Sequence, residues 1–500
     1  MIVVEREYYS YQPPLIYKNP VEDLDDTNVV KLIVYLVKQF EKENPALFKD
    51  KEEGVPGPKF TYIKSEMLSL YVFATFRGKR SCRKIEEFLD DKVKACAYIT
   101  NGKLPRKSKI NDFKRDYEYL INEFLKYTVK FGVDFGLVDF KTVSIDSTPI
   151  EAYVNEYRSL SIAQITYLED LIYDLSFDKP KRTIWAKIKR YFFYDELPED
   201  MVDLIDEIYH NLNKYGRQLL QIALTSKKAR DEIIDTIDVL KENYDGKNRV
   251  NLTDPEARKM YMKDETIKFA YLLQTVTDTK TGLIIMQKIV EHKTDRYQLA
   301  PAIDYIIDTY NVVPEFILAD NGYYGLDQIA YAYSKGIIPI IPDRNDAMKI
   351  NGTYSDNPFA KCNMPFDPIK LEFTCLYNQK LKVVGIKEDK GELKLIFKTN
   401  ECPNCPYKKD CAKKNKYRIL KEPFNPFFVE SKKVFLSKEG QLKYKLRAIH
   451  SEGTFSDIKE RQEFEQSKRR GRDKVEIDLI LEAIVVNIKK IRKHLNVTLI

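Results

Sequence analysis

Two aspartates, each at the C-terminal end of a short expected strand, constrain this chain more than any other feature. Thr142-Val-Ser-Ile-Asp146 alternates as a strand does, and Ser147-Thr-Pro149 is expected to end it. Phe316-Ile-Leu-Ala319 reads as a short buried strand, and Asp320-Asn-Gly-Tyr-Tyr-Gly325 turns into a helical segment. A third acid, Glu452, lies in Ser451-Glu-Gly-Thr-Phe-Ser-Asp-Ile-Lys459, which is predicted to be helical. Glu452 and Lys459 are seven residues apart, two turns, so both project one way. Tyr444 and Arg447 lie just upstream and the basic run Lys468-Arg-Arg-Gly-Arg472 just downstream. Glu–Lys spacing of this kind also decorates plain solvated helices, and the two aspartates tip the reading toward a site.

Two aspartates at strand ends with a glutamate on a later helix suit hard divalent cations, which take oxygen ligands and keep positions open for water and phosphate. Two such ions about 3.5–4 Å apart activate an attacking oxygen and stabilise the leaving one during displacement at phosphorus.

The chain resembles the DDE transposases of bacterial insertion sequences. The resemblance is carried by Ile145-Asp146-Ser-Thr-Pro-Ile-Glu-Ala152, Thr253-Asp-Pro-Glu-Ala-Arg258, Leu318-Ala-Asp320-Asn-Gly-Tyr-Tyr324 and Arg447 through Lys459, and it extends to Lys468-Arg-Arg-Gly471 and the segment ending in Asn487. It implies an RNase H-like mixed-sheet α/β (α+β) core with catalytic acids at Asp146, Asp320 and Glu452, holding magnesium or manganese as two ions. The family's Tyr-Arg-Glu-Lys signature falls on Tyr444, Arg447, Glu452 and Lys459. One departure is visible: four residues separate Arg447 from Glu452, where the best-known version has three. The implied partner is double-stranded DNA, at transposon ends and target, bound by a homodimer or higher oligomer. Tyr444, Arg447, Lys459, Lys468, Arg469, Arg470 and Arg472 are the expected DNA contacts.

Charge is spread in a way that agrees. Residues 1–59 carry 8 Lys+Arg against 11 Asp+Glu, residues 60–130 carry 16 against 9, and residues 400–500 carry 24 against 14. With an overall charge of +7, the middle segment is acidic and two basic blocks flank it. Phosphate contacts dominate DNA affinity, so the pattern fits DNA handling, as it also fits ordinary Lys-rich surface. No apolar run approaches a membrane span, and the start Met-Ile-Val-Val-Glu-Arg-Glu has acids where a signal peptide needs a basic segment. The expected location is cytoplasmic, at the nucleoid, and seven cysteines fit a reducing compartment better than a disulfide framework.

The expected organisation is an N-terminal helix and linker over 1–59, then a helical DNA-binding domain over 60–130. The catalytic core takes 131–345 plus 436–500, with a helical insertion at 155–250 and a cysteine-bearing insertion at 346–435. Val29, Leu32, Tyr35 and Leu36 mark the first helix, and Pro45, Gly54, Pro56, Gly57 and Pro58 the linker. Met67, Leu70, Val72, Phe73 and Phe76 fill a helix that Gly78 breaks, and Ser81 caps the next. A later helix begins near Ser108 with Asn111, Lys114 and Arg115 expected on its surface. This order fits a helix-turn-helix as well as a plain helical bundle. The 155–250 insertion shows two stripes, Ile162-Ile165-Leu168-Leu171-Leu175 and Leu204-Ile208-Leu212-Leu219, read as a packing or self-association element. Strands are expected at Ala270–Val276, Gly282–Val290 and Ile337–Ile341, and a helix at Leu299–Tyr310.

Cys402-Pro-Asn-Cys405 followed by Cys411 supplies three thiolates, and Cys375 or Cys362 could complete a tetrahedron for a structural zinc. The alternative is a set of reduced thiols. Asp254 reads as a turn cap ahead of an extra acid near the site, and Asp278 and Asp295 as loop residues. There is no Walker-type loop and no His-Glu-x-x-His. Three functions remain: a transposase, a metal-dependent nuclease of the same fold, or a catalytically inactive DNA-binding descendant of a transposase. The three acids argue against the last.

Overall fold

The computed structural model describes residues 24, 28–49, 62–91, 94–166, 168–169, 212–223, 231, 233–235, 237–238, 241, 249–291, 294–353, 355–456, 458, 464 and 466–495. They fall into two units, Met1–Thr128 with Ile488–Ile500, and Val129–Asn487.

The first unit is helical. Helix α1 (Val29–Glu43) starts where Asn28 Oδ1 accepts the Val30 amide at 3.1 Å. It buries Val29, Leu32 and Leu36 as the spacing predicts, but Tyr35 is turned outward. Helix α2 (Lys64–Phe76) is buried almost all round, which removes any single polar face, and Gly78 ends it with φ +71°. Ser81 caps α3 (Cys82–Asp90) by accepting the Lys84 amide at 3.2 Å. Helices α4 (Lys94–Thr100), α5 (Lys107–Asp116) and α6 (Glu118–Asp134) follow. Asn111 and Arg115 are exposed on α5, whereas Lys114 is buried. Lys114 shares a face with Ile110, one turn earlier, and its ammonium lies 5.7 Å from the Tyr71 ring centroid. Of the expected linker, Pro45 opens the single helical turn Pro45–Phe48, and residues 50–61 lie outside the described residues.

The second unit is built on a mixed sheet of six strands. These are β1 (Thr142–Glu151), β4 (Arg258–Tyr261), β5 (Ile267–Asp278), β6 (Ile284–Val290), β7 (Phe316–Leu318) and β8 (Ile338–Ile340). One edge of β5 pairs antiparallel with β1, and its other edge pairs with β4 and then β6. Beyond β1, β7 and β8 add in parallel. β1 does not stop at Ser147-Thr-Pro149. The antiparallel ladder to β5 continues to Glu151↔Ala270, while the parallel ladder to β7 ends at Ser144↔Leu318. Pro149 therefore sits where β1 no longer has β7 beside it, a place where proline is tolerated.

The expected helix is α8 (Leu299–Tyr310), and α9 (Leu326–Ser334) and α10 (Arg344–Ile350) flank β8. Between β1 and β4, the short strands β2 (Ser159–Leu160) and β3 (Val250–Asn251) pair and bring the two ends of the intervening segment together. Ile165, Leu168, Leu212, Ile233 and Ile237 cluster beside them, with Leu219 of α7 (Lys214–Ala223) against the group. Leu171, Leu175, Leu204 and Ile208 lie outside the described residues.

After α10 the chain forms a separate antiparallel sheet in the order β13-β12-β11-β10-β9. Its strands are β9 (Phe366–Asp367), β10 (Glu372–Thr374), β11 (Lys380–Asp389), β12 (Glu392–Lys398) and β13 (Leu420–Pro423). Phe373, Leu381, Leu395, Phe397 and Leu420 form its core. Helix α11 (Pro426–Leu436) carries Lys432, whose buried ammonium bridges Asp343 (2.7 Å) and Asp346 of α10. Helix α12 (Lys438–Arg447) follows, and the last helix, α13 (Arg472–Leu495), covers β6. There Glu476 accepts the Ile289 amide at 2.7 Å, and Asn487 bonds both the amide (2.7 Å) and carbonyl (2.9 Å) of Ile284. These side chains satisfy backbone groups that an edge strand would leave open. Among the described residues no helix is long and apolar enough to cross a membrane.

Candidate active site

The parallel register fixes the first two acids. Ser144 and Leu318 are the last partners of β1 and β7, and Asp146 and Asp320 each lie two residues further on. Side chains in extended chain repeat every two residues, so both acids follow the face of that last pair. Asp146 is thus within its strand, not at its end, but it is at the end of the parallel ladder. Its Oδ1 accepts the Ser147 amide at 2.9 Å, and its Oδ2 accepts Arg447 Nη1 at 3.0 Å. Burial pushes the Asp146 carboxyl up to about 6, against the pull of Arg447 and with help from Asp320 and Asp295. Asp320 opens the 3₁₀ turn Asn321–Tyr323 and accepts the Gly322 amide at 2.8 Å.

A third carboxylate joins them: Asp295, which the sequence placed in a loop. It lies in the 3₁₀ turn Asp295–Tyr297 before α8 and accepts Gln274 Nε2 of β5 at 2.6 Å. Gln274 is the register partner of Ser147, and its Oε1 accepts the buried Tyr323 hydroxyl. Burial raises the Asp295 carboxyl, which hydrogen bonds from Ser147 and Gln274 oppose. Gly322 separates Asp295 from Asp320. A Cβ at Gly322 would stand 3.0 Å from Asp320 Oδ1 and 3.2 Å from Asp295 Oδ2, so a larger residue would push the two carboxylates by a few tenths of an ångström.

Arg447 ends α12, and the next five residues, Ala448–Glu452, form a π turn that packs on β1 and β5. A π turn bonds residue i to i+5, so its backbone takes one residue more per turn than an α-helix does. Glu452 is described by its backbone, and Lys459 lies outside the described residues. Tyr444 is half-buried, with its ring 5.3 Å from Phe435 and the Arg447 guanidinium 5.8 Å from its centroid. Tyr444 and Arg447 therefore face the acids rather than the outer surface.

The basic run divides. Gln466 bonds the Ala152 carbonyl at 2.8 Å, so the run passes beside the end of β1. The Lys468 and Arg470 cations lie 5.0 and 5.4 Å from the Tyr153 ring, and both residues are exposed. Arg469 is paired with Asp478 at 3.6 Å and Arg472 with Glu291. The Asp-Pro-Glu motif holds the backbone here: Asp254 accepts the Gly471 amide (3.1 Å) and the Tyr271 hydroxyl (2.7 Å), and Glu256 accepts the Arg472 amide (2.7 Å). Asp254 is fully buried and thus caps α13 from a distance. Asp278 is likewise buried, at the end of β5, where it accepts the amides of Phe140 (2.9 Å) and Lys280 (2.8 Å).

Cys375 closes β10, Cys402 and Cys405 bracket a 3₁₀ turn, and Cys411 ends the single-turn helix Lys408–Cys411. Burial raises the Cys411 thiol, and Cys402, Cys375 and Cys405 are all near enough to act on it. Cys362 is buried, beside Asn363. Among the described residues no three Asp, Glu, His or Cys side chains are placed to hold a metal ion as they stand. The donor chemistry nevertheless fits: Asp146, Asp320 and Asp295 offer oxygens suited to a hard cation, and the four thiols suit zinc.

No curated protein and no solved structure matches the chain. Residues 374–492 match the family model described as a transposase DDE domain, a segment that holds Tyr444, Arg447, Glu452 and the basic run and stops short of Asp146 and Asp320. Over that C-terminal segment the chain is similar to a transposase DDE domain.

Proposed function

We propose that this protein cleaves DNA at the ends of an insertion sequence and joins the freed 3′-hydroxyl to target DNA, with Asp146, Asp320 and Glu452 as the catalytic acids. The observation that carries this reading is the β1–β7 register, which sets Asp146 and Asp320 side by side beyond Ser144↔Leu318, next to the π turn that bears Glu452. The strand order β6-β5-β1-β7-β8, three antiparallel and then parallel neighbours, is the one an RNase H-like core calls for.

Magnesium or manganese, probed as two ions, would supply Lewis acidity toward phosphate oxygens and the attacking oxygen. Asp146 keeps acceptor capacity for this, because each of its oxygens makes one hydrogen bond and a carboxylate offers about four lone-pair sites. Arg447 orients Asp146 and favours its ionised form against burial, and Gln274 holds Asp295. Three carboxylates crowded in a partly buried site repel one another, which favours capture of a cation. Lys468 and Arg470, and Lys459 with them, would hold the DNA backbone. Cys375, Cys402, Cys405 and Cys411 would take a structural zinc that pins the β10–β11 hairpin to the 402–411 turns.

The test is to incubate the protein with magnesium and DNA carrying the sequences that flank its gene, then map products. Cuts at the element's ends followed by strand-transfer products support the transposase. Cuts without joining favour a nuclease of the same fold, and no cutting refutes the catalytic reading.

A further inference from the structure

Three clustered carboxylates repel the DNA backbone they are read to act on, so the substrate strand needs cationic anchors beside them. A cleft of about 420 Å³ opens at the turn that carries Asp320, lined by Arg296, Asn321, Gly322, Arg344, Glu422 and Phe428, among others. Asn321 and Gly322 directly follow Asp320, and Arg296 directly follows Asp295. Resting on the DNA-processing reading, we infer that this cleft seats the sugar–phosphate backbone of the DNA strand, with Arg296 and Arg344 as its two phosphate anchors.

Both arginines are exposed, and neither forms an ion pair among the described residues. Arg296 makes only a contact with its neighbour Tyr297, 5.4 Å to the ring centroid. Glu392, which feels the Arg296 charge, is already bonded to Lys394 at 2.8 Å. The acids of the cleft wall are matched from within the protein: Glu422 by Lys361 at 2.7 Å, and Asp343 by Lys432 at 2.7 Å. Lys432 also serves Asp346, so one negative charge in that trio is unmatched. Arg296, Arg344, Lys361 and Lys432 set against Asp343, Asp346 and Glu422 leave the cleft and the wall behind it with one positive charge in excess. Exposed arginine that is not locked in an intramolecular pair costs little to redirect, and its planar fork suits phosphate oxygens. Phe428 and Pro423 give the cleft an apolar wall for sugar or base.

The assay is equilibrium binding of the full chain to a duplex and to a single-stranded oligonucleotide across a salt series, in EDTA so that no cleavage occurs. Arg296→Ala and Arg344→Ala should each reduce the slope of log K against log salt by about 0.7–0.9, and the double variant by about twice that. Arg→Lys variants should retain the slope, and circular dichroism should be unchanged because both side chains are exposed. Inorganic phosphate at equal phosphate concentration should fail to compete, since a free ion lacks the second anchor. If the wild type binds and the double variant keeps its full slope, the cleft assignment is overturned while the DNA reading stands. Competition by inorganic phosphate would overturn it in favour of a free-anion site. If the wild type shows no salt-dependent DNA binding at all, the transposase reading fails and the cleft assignment falls with it.

Discussion

Asp146→Asn isolates the cost of keeping a buried carboxylate beside two others. In the metal-free protein burial, with Asp320 and Asp295 adding to it, raises the Asp146 carboxyl from its ordinary value of 3.8 to about 6. A raised carboxyl binds its proton more tightly in the folded state. The stability it contributes is complete below about 3.8 and is lost as pH rises through about 6. Two units correspond to about 3 kcal/mol, of which roughly half develops between pH 5 and pH 8. Asparagine cannot ionise, and its side-chain oxygen still accepts from Arg447. The variant should therefore gain about 1.5 kcal/mol on the wild type between pH 5 and pH 8. Urea denaturation in EDTA at both values, fitted over the transition of the Val129–Asn487 unit, reads this directly. An Asn-minus-wild-type difference that does not change with pH would refute the account of a desolvated, crowded Asp146.

Gly322→Ala should place a methyl against both Asp320 and Asp295, lower DNA cleavage on the order of 10–100-fold and leave thermal stability nearly unchanged, because the clash is with movable carboxylates. Full activity in this variant would show that their close approach is not needed. Lys432→Met should destabilise the protein by roughly 3–5 kcal/mol, since Asp343 and Asp346 lose their shared cation in a buried setting. An unaltered urea midpoint would contradict that. Metal analysis should find one zinc per chain, lost in Cys402→Ser but kept in Cys362→Ser, since Cys375, Cys402 and Cys405 are the thiols that act on Cys411. Zinc-free wild type purified without chelator would dismiss the thiol site.

The parts of the fold that were readable in the sequence are those set by local pattern. The helix at Leu299–Tyr310, the cap at Ser81 and the strands leading to Asp146 and Asp320 need only periodicity and turn chemistry. The reading failed where neighbours decide. Pro149 looks like a terminator until β1 is seen to be unpaired on that side, and Lys114 looks like surface until Tyr71 is seen beside it. Asp295 is an ordinary polar residue before a helix; only the Ser147↔Gln274 register brings it to the acids. The β11–β12 hairpin did carry a usable signal. Lys390 and Gly391 form a two-residue turn with φ +55° and +80°, between the paired Asp389 and Glu392. Nothing in the sequence marks the π turn between Arg447 and Glu452, where one turn widens to take an additional residue.

The central claim is that Asp146, Asp320 and Glu452 meet around one site for divalent metal. Iron(II) can replace magnesium at such oxygen sites, and with ascorbate and peroxide it cuts the polypeptide next to wherever it is held. Mass spectrometry of the fragments should show three sets of cuts: within β1 around Asp146, at the turn after Asp320, and in the π turn Ala448–Glu452. Excess magnesium should suppress all three together. Cuts that leave out any one of these segments, or that persist unchanged in Asp320→Asn, would contradict the shared site.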